Sequence, residues 1–197
     1  MKIILASTSV YRAELLKKLS VPFSCQAPGV DESPLAGEGI QQQVKRLAEL
    51  KAQAVAQTTT TGYVIGSDQL ASCQETILGK PGNYPNAHAQ LTQLSGQTVQ
   101  FYTGLCVVNA ANGQQQSIVE CFEVEFKPLS SKQIQRYLEL EQPYDCAGSF
   151  KSEGLGIALF SRLNGRDPNT LVGLPLIALT ELFANWQIDL FDYMQAS

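Results

Sequence analysis

The apolar residues of this chain recur with two periods, and each period predicts a different kind of secondary structure. A spacing of three to four residues predicts helices, and alternation at every second residue predicts strands. The predicted helices are 10–19, 41–57, 86–94, 130–140 and 175–186. The predicted strands are 2–6, 63–66, 97–109 and 114–127, with a shorter hairpin across 70–78. Strand–helix units and antiparallel hairpins therefore both occur, which favours a mixed α/β fold over a purely parallel, doubly wound sheet.

Local cap and turn signals support these boundaries. Ser9 is a candidate N-cap for the first helix, and Ser130 with Gln133 has the spacing of a capping box. Gln74 and Glu75 occupy the expected turn of the shorter hairpin. The sequence shows no repeat, linker or low-complexity segment, so residues 1–197 are predicted to form a single domain.

Composition and charge narrow the classes of function. Apolar residues make up 44% of the 197 positions and charged residues 16%, which is typical of an ordered globular protein. A net charge of −4 gives no basic surface for duplex nucleic acid, and no apolar run approaches the roughly 20 residues that span a bilayer. The amino terminus lacks the long apolar segment of a signal peptide. We therefore expect a cytoplasmic protein with neither nucleic acid nor membrane as its partner.

Two residue counts bear on catalysis. His88 is the only histidine, which excludes a Ser-His-Asp triad and a site with several histidine ligands. The five cysteines are scattered and form no CxxC pair, as is typical of small buried residues in a reducing compartment. A small phosphate ligand stays compatible with the acidic chain, because a few basic residues can cluster locally.

Acidic and hydroxyl side chains follow two of the predicted strands. Asp68 comes after strand 63–66, where active-site residues of α/β folds are often found, although a plain turn residue fits the pattern equally well. Ser7 and Ser9 lie in the turn that opens the first helix. Their hydroxyls, the backbone N–H groups and Arg12 are suited to holding a phosphate, but ordinary helix capping explains the same residues.

Further charged residues lie in other segments. Asp31 and Glu32 form a carboxylate pair suited to Mg²⁺ or Mn²⁺, and Lys51 and Lys80 are candidate phosphate contacts. Each of them, taken alone, also fits a solvated surface position. The candidate ligand loops are 146–156, rich in glycine, and 162–175, rich in polar residues. Metal-binding carboxylates and fixed cations, without a nucleophile triad, favour hydrolysis of a phosphoanhydride by an activated water.

These pieces occur in an order that resembles the Maf family of nucleoside triphosphate pyrophosphatases. The motifs that carry the resemblance, between about residue 2 and about residue 183, are LASTSVYRAELL, VDES, RLAELKAQAV, VIGSDQ, GKP, FYTGLCVV and RDPNTLVGLPL. The segment CAGSFKSEGLG resembles the branch that acts on 7-methyl-GTP. Tyr11 stands where that branch has an aromatic residue such as Trp, and where the dTTP/UTP branch has Arg.

The resemblance implies a hydrolase of acid anhydrides that cleaves between the α- and β-phosphates and releases a nucleoside monophosphate and pyrophosphate. It implies a divalent metal (Mg²⁺, Mn²⁺ or Co²⁺) and the α/β fold of inosine-triphosphate pyrophosphatases, with two lobes around a central cleft. Asp68 would accept the proton of the attacking water and would hold the metal with Glu32. The residues implied to hold the phosphates are Ser7, Arg12, Lys51 and Lys80. Those implied to set base specificity are Tyr11, Gln69 and Glu153.

The specificity residues suit a cationic base. N7-methylation gives guanine a positive charge, which gains about 0.5–2 kcal/mol by stacking on an aromatic face such as that of Tyr11. An Arg at position 11 would repel that charge. Glu153 would attract the base or accept its N–H groups, and Gln69 can both donate and accept.

Two other functions stay open at this point. One is a nucleotide-sensing regulator of cell division that needs no catalysis. The other is a phosphatase with Asp68 as covalent nucleophile, but that chemistry usually needs a second acid at position 70, where the chain has Leu70. The expected partner is a small nucleotide, and a homodimer is left open on the base rate among soluble oligomers.

Overall fold

The computed structural model describes residues 1–196 and places seven strands in one sheet. The strands are β1 (Ile3–Leu5), β2 (Phe23–Cys25), β3 (Tyr63–Cys73), β4 (Thr76–Leu78), β5 (Thr98–Asn109), β6 (Gln115–Phe126) and β7 (Phe160–Asn164). Their order is β2-β1-β3-β5-β6-β7, and β4 pairs with β3. β1 is parallel to β2 and β3, whereas β3–β4 and β6–β7 are antiparallel. The mixed α/β fold is confirmed.

Within the described residues, six α-helices accompany the sheet. They are α1 (Val10–Lys17), α2 (Ile40–Ala56), α3 (Tyr84–Leu94), α4 (Ser131–Glu141), α5 (Asn169–Val172) and α6 (Leu176–Ala184). The Ser9 side chain caps α1 by accepting from the amide of Arg12, and Ser130 with Gln133 forms the capping box of α4. Both predicted caps are confirmed. The described residues 1–196 contain no helix long and apolar enough to cross a membrane.

The structure differs from the predicted elements mainly around β3. The sequence predicted a strand that ends at residue 66, but β3 continues to Cys73, so Asp68 lies inside the strand. The polar run Gly-Ser-Asp-Gln hides this continuity, because Ser67 and Asp68 are buried against partners within the protein and Gln69 is only partly exposed. Gln74 and Glu75 have φ angles of 48° and 65°, which confirms the hairpin turn between β3 and β4. β2, β7 and α5 lie in segments for which no regular element was predicted.

The described residues fall into two compact units. The first contains Met1–Gln69, Tyr102–Glu120 and the chain from Asp167 onward; the second contains Leu70–Phe101 and Cys121–Arg166. Strands β3, β5 and β6 contribute residues to both units. The single domain predicted over 1–197 stays a prediction.

In the first unit, the alternation of side chains along the strands builds a core on each face of the sheet. One face packs on α1 and α6, through strand residues Ile3, Leu5, Ile65, Leu105 and Val107. The other face packs on α2, through strand residues Ile4, Val64, Cys106 and Val108. Successive residues of β3 therefore meet different layers, which determines the surroundings of Asp68 and of Gln69.

In the second unit, four aromatic side chains form the centre of the core. Phe101, Phe126, Phe150 and Phe160 meet edge to face, with ring centroids 4.9 to 5.5 Å apart. Edge-to-face pairs of this kind contribute about 0.5–1.5 kcal/mol beyond the burial of their area. Helices α3 and α4 pack on each other in the same unit.

Candidate active site

Gly66 allows α2 to pack directly on β3. A Cβ at this position would lie 2.2 Å from the carbonyl oxygen of Ala48 and 2.7 Å from the amide nitrogen of Ala52, distances that no side chain tolerates. Lys51 precedes Ala52 on the helix, and Asp68 is two residues beyond Gly66 on the same face of the strand. The close approach of helix and strand therefore brings the lysine to the aspartate.

Lys51 joins two carboxylates. Its Nζ donates to Asp68 Oδ1 at 2.7 Å and lies 2.8 Å from Glu32 Oε2. The side chains of Lys51 and Asp68 are 7% and 9% exposed, whereas that of Glu32 is 55% exposed. The structure thus brings together three residues that the sequence analysis selected, from a helix, a loop and a strand.

A second ion pair holds the loop that carries Glu32. The guanidinium of Arg46, on α2, donates to both carboxylate oxygens of Glu38 at 2.6 and 2.7 Å and to the carbonyl of Ser33 at 3.2 Å. Asp31 accepts from the amide and the hydroxyl of Ser33. The hydrogen bond from Arg46 lowers the pKa of Glu38. Arg46 therefore anchors both ends of the segment next to Glu32, a role that the sequence analysis missed.

Arg12 lies close to the two carboxylates. Burial lowers the pKa of its guanidinium, and the charges of Asp68 and Glu32 act in the opposite direction. An Arg side chain keeps its positive charge in proteins. Arg12 Nε donates to the carbonyl of Gly173 at 2.9 Å, and within residues 1–196 its terminal nitrogens make no hydrogen bond. The two terminal nitrogens are therefore available for a phosphate.

Part of the polar loop 162–175 orders the backbone and does not present side chains to a ligand. Asp167 is buried and accepts from the amides of Asn169 at 2.8 Å and Ile177 at 2.7 Å, so its carboxylate organises the turn that leads into α6. Gly173 has a φ of +112°, a conformation that favours glycine. Its carbonyl accepts from Arg12 and also from Ser67 Oγ at 2.9 Å. The loop supplies backbone acceptors that fix site residues, which its sequence alone did not indicate.

Gln69 meets this loop on the other face of β3. Its Nε2 donates to Thr103 Oγ1 at 2.9 Å, to the carbonyl of Thr170 at 2.7 Å and, more weakly, to that of Leu171 at 3.3 Å. Thr103 also donates its own hydroxyl proton to the Thr170 carbonyl at 3.0 Å. The sequence analysis did not select Thr103, because a threonine in a predicted strand carries no signal of its own.

Ser7 and Tyr11 flank the start of α1 in the same unit. Ser7 is buried, and its Oγ accepts from the amide of Ser9 at 3.1 Å. β1 and β3 are parallel, and Leu5 lies beside Ile65. Ser7 lies just beyond Leu5 and Asp68 just beyond Ile65, so both residues lie in the direction in which the two strands run. Tyr11 is partly exposed on α1, next to Arg12.

Lys80 and Glu153 belong to the second unit. Lys80 is exposed on the loop after β4, and Glu153 is exposed with its carboxylate accepting from Ser152 Oγ at 3.1 Å. Glu141, at the end of α4, accepts from the amide of Leu155 at 2.8 Å and so holds the segment that contains Glu153. The roles implied for Lys80 and Glu153 stay predictions.

Comparison with known proteins identifies the family. The model of the family described as Maf-like protein matches residues 2–186. This chain belongs to the Maf-like protein family. The resemblance found in the sequence is confirmed. Glu32, Lys51 and Asp68, which meet in the structure, all come from the segments on which that resemblance was based.

The curated relatives carry a more specific name. A 7-methyl-GTP pyrophosphatase from Pseudoalteromonas atlantica is 60% identical over 99% of this chain and 100% of that protein. A protein of the same name from Vibrio vulnificus is 56% identical over 93% of this chain and 94% of that protein. Among solved structures, the Staphylococcus aureus Ham1 protein superposes with a TM-score of 0.50 at 13% identity, covering 95% of this chain and all of that one. At such low identity this likeness shows the fold alone.

The residues present fit the divalent metal that the family implies. Within residues 1–196 no group of three or more His, Cys, Asp or Glu side chains is placed to hold a metal ion, so a site would rest on a smaller set. Asp68 and Glu32 share one ammonium, which shows that their oxygens converge on a point where a cation is stabilised. Mg²⁺ is commonly bound through one or two carboxylates, with waters and substrate phosphates as its other ligands. Two converging carboxylates meet that requirement.

Proposed function

We propose that this protein is a nucleotide pyrophosphatase that hydrolyses 7-methyl-GTP between its α- and β-phosphates, giving 7-methyl-GMP and pyrophosphate, and so removes a modified nucleotide from the cytoplasm. The observation that carries the proposal is the convergence of Asp68 and Glu32 on the buried Lys51 in a Maf-like chain, with the charge of Arg12 interacting with both carboxylates. Relatives named 7-methyl-GTP pyrophosphatase, 52–60% identical to this chain, support the substrate.

Asp68 is the group that accepts the proton of the attacking water. Its Oδ1 is held by Lys51, which leaves Oδ2 without a hydrogen bond in the described part of the chain. Within residues 1–196, Thr170 Oγ1 is the one side-chain oxygen or nitrogen that is both fully buried and without a partner. Asp68 Oδ2 has no partner and is therefore not fully buried, so solvent reaches it. A water there gives a proton to Oδ2 while its oxygen attacks phosphorus, and pyrophosphate leaves with the electrons of the broken P–O bond.

Cations stabilise the charge on the reacting phosphates. Arg12 offers its two terminal nitrogens as a bidentate donor, and Lys51 offers a point charge that is already oriented by two carboxylates. Lys80 is proposed as a further phosphate contact. A divalent metal held by Glu32 and Asp68 would, when bound, add positive charge at the phosphate oxygens.

The base is selected by a separate set of residues. We place the aromatic face of Tyr11 against the cationic ring, with Glu153 as a carboxylate that complements its charge. This division assigns Asp68 to the water and its neighbour Gln69 to the base. The strand supports the division, since the Asp68 carboxylate meets α2 and the Gln69 amide meets the 167–174 loop.

A nucleotide panel tests the reaction. Purified protein is incubated with 7-methyl-GTP, GTP, dTTP, UTP and ATP in the presence of Mg²⁺, Mn²⁺ or Co²⁺, and pyrophosphate and orthophosphate are measured separately. We expect pyrophosphate from 7-methyl-GTP above all others. Release of orthophosphate alone would point to the phosphatase alternative, and binding without any hydrolysis would point to the regulator.

Substitution of Tyr11 tests the recognition of the charged base. Because an Arg at this position repels a methylated ring, Tyr11→Arg should lower kcat/KM for 7-methyl-GTP about tenfold, on the order of 1.4 kcal/mol, while affecting GTP less. Tyr11→Phe keeps the aromatic face and is the matched control. If the methylated and plain nucleotides respond equally to Tyr11→Arg, Tyr11 does not recognise the charge.

A further inference from the structure

We propose that Thr103 is a positioning residue that, with the backbone carbonyls of Thr170 and Leu171, restricts Gln69 to accepting hydrogen bonds from the base. The site then selects bases that present an N–H group to Gln69. The inference rests on the proposed function, because it assumes that a nucleotide base meets Gln69. It also revises the expectation from the sequence that Gln69 both donates and accepts.

The partners of Gln69 fix the orientation of its amide. The backbone carbonyls of Thr170 and Leu171, 2.7 and 3.3 Å from one terminal atom of Gln69, can only accept hydrogen bonds. That terminal atom must therefore be the NH₂ group. Thr103 supports the same assignment, because its hydroxyl proton is directed to the Thr170 carbonyl and its oxygen lone pairs are left for Gln69.

The remaining atom of the amide, Oε1, is the one available to a ligand. Within residues 1–196 it accepts no hydrogen bond, and Gln69 is partly exposed. In that range Thr170 Oγ1 is the one side-chain oxygen or nitrogen that is both fully buried and without a partner. Gln69 Oε1 accepts no hydrogen bond and is therefore not fully buried, so solvent reaches it. A Cβ on Gly173 would lie 3.7 Å from this oxygen and 3.5 Å from Arg12 Nε, so Oε1 and the proposed phosphate-binding arginine both lie next to Gly173.

This arrangement predicts which bases are accepted. A carbonyl oxygen held in place forms a hydrogen bond with the N1–H or the 2-amino group of a guanine, and it repels a base that turns a lone pair toward it. Sites built to bond one N–H discriminate strongly against analogues that lack it. Rotation of the amide would reverse this preference, but it would place Oε1 against two carbonyl oxygens. The Thr103 network therefore contributes to specificity without touching the nucleotide.

The experiment compares three nucleotides on the full-length protein. 7-methyl-GTP carries both N–H groups, 7-methyl-ITP lacks the 2-amino group, and 1,7-dimethyl-GTP lacks N1–H. We expect kcat/KM of the unmodified protein to fall about tenfold or more for at least one of the two analogues, mainly through KM. Equal kcat/KM for all three nucleotides would overturn the inference.

Variants of Thr103 then test the positioning role. Thr103→Val removes the hydroxyl at nearly constant volume and should lower kcat/KM for 7-methyl-GTP about tenfold, while leaving the sensitive analogue almost unaffected. Thr103→Ser keeps the hydroxyl and should restore the discrimination. Thr180→Val, which removes a hydroxyl that bonds only to its own helix at the carbonyl of Ile177, is the matched control.

The outcomes separate this inference from the proposed function. A loss of melting temperature in Thr103→Val with an equal loss of activity on all three nucleotides would show a structural role only, and would overturn it. If no nucleotide is hydrolysed, titration with the three corresponding monophosphates decides. Binding that depends on the N–H group and on Thr103 would support the inference while the proposed function fails. Equal binding, or none, would overturn the inference.

Discussion

Asp68 and Glu32 hold the same ammonium from very different surroundings. Asp68 lies within a central strand, its side chain is 9% exposed, and the packing of α2 on Gly66 places Lys51 next to it. Glu32 lies on a loop, its side chain is 55% exposed, and its loop is tied to α2 through Arg46. Asp68 is thus positioned by the core of the first unit, whereas Glu32 is positioned by a loop that the ion pair of Arg46 with Glu38 holds on α2.

The difference indicates two kinds of contribution to one site. Core packing fixes a side chain within a fraction of an ångström, which suits a group that must accept a proton from an oriented water. An exposed loop moves more easily, which suits a group that must adapt to a metal and a phosphate as they arrive and leave. We therefore expect substitutions in the strand to affect the chemical step, and substitutions in the loop to affect the binding of metal.

The strongest test of this contrast is Asp68→Asn. The amide has nearly the same shape but does not take up a proton, so kcat should fall by about 10²–10⁴ while 7-methyl-GTP still binds. Pyrophosphate release and equilibrium binding are measured on the same preparation. Asp192→Asn, which changes an exposed carboxylate outside the candidate site, is the control. Near-normal turnover of Asp68→Asn would refute its assignment as the base.

Glu32→Gln should affect metal binding first. Removal of one of the two converging charges should raise the Mg²⁺ or Mn²⁺ concentration for half-maximal activity about tenfold, with much of kcat recovered at saturating metal. The shift in melting temperature with added metal gives a second readout that does not depend on activity. Glu14→Gln on α1 is the control, because Glu14 pairs only with the exposed Lys17. A kcat that stays low at saturating metal would place Glu32 in the chemical step with Asp68.

The sequence predicted much of this site, for identifiable physical reasons. Asp68 was selected because it follows a predicted strand, and Arg12 because it lies in the first turn of a predicted helix. Glu32 was selected as one of a carboxylate pair, and Lys51 as a candidate phosphate contact. The hairpins and the caps were predicted because their signals are local. The placement of Lys80 and Glu153 near the other residues stays a prediction.

The contacts that position the site were not predicted. Gly66 ended the predicted strand 63–66, but it is one of the points where α2 packs on the sheet, and this depends on residues 14 to 18 positions earlier in the chain, Ala48 and Ala52. A threonine in a strand and an arginine on a helix are common, so there was no reason in the sequence to select Thr103 or Arg46. Their roles come from partners that are distant in sequence or lie on a loop. Such roles follow from tertiary packing, which no local pattern records.

Gly66→Ala tests whether core packing positions Lys51 and Asp68. The added methyl group would overlap backbone atoms of α2, so the helix must shift; we expect a loss of about 1–3 kcal/mol in the free energy of unfolding, measured by urea denaturation. In the protein that remains folded, kcat should fall more than KM rises. Gly79→Ala is the control, since a Cβ there meets no atom within 4 Å. Unchanged kcat in Gly66→Ala would show that catalysis does not depend on the packing of α2 against Gly66.

The smallest expected effect is that of Arg46→Met on the loop. Without the guanidinium, Glu38 and the Ser33 carbonyl lose their common donor, and the metal concentration for half-maximal activity should rise a few-fold at unchanged kcat. The pair is sensitive to pH, because the hydrogen bond from Arg46 lowers the pKa of Glu38. A lowered pKa in the folded state stabilises the protein above the ordinary Glu value of 4.5, and this stabilisation is lost as the pH falls through the lowered value.

The difference in melting temperature between the unmodified protein and Arg46→Met should therefore be present at neutral pH and disappear in acid below that ordinary value. Arg136→Met, which breaks a more exposed Arg–Glu pair with Glu139 on α4, is the control and should leave the metal dependence unchanged. If Arg46→Met lowers kcat and leaves the metal dependence unchanged, the loop acts on the chemical step. The assignment of Asp68, held by the core, to the chemical step and of Glu32, held by the loop, to metal binding would then be wrong.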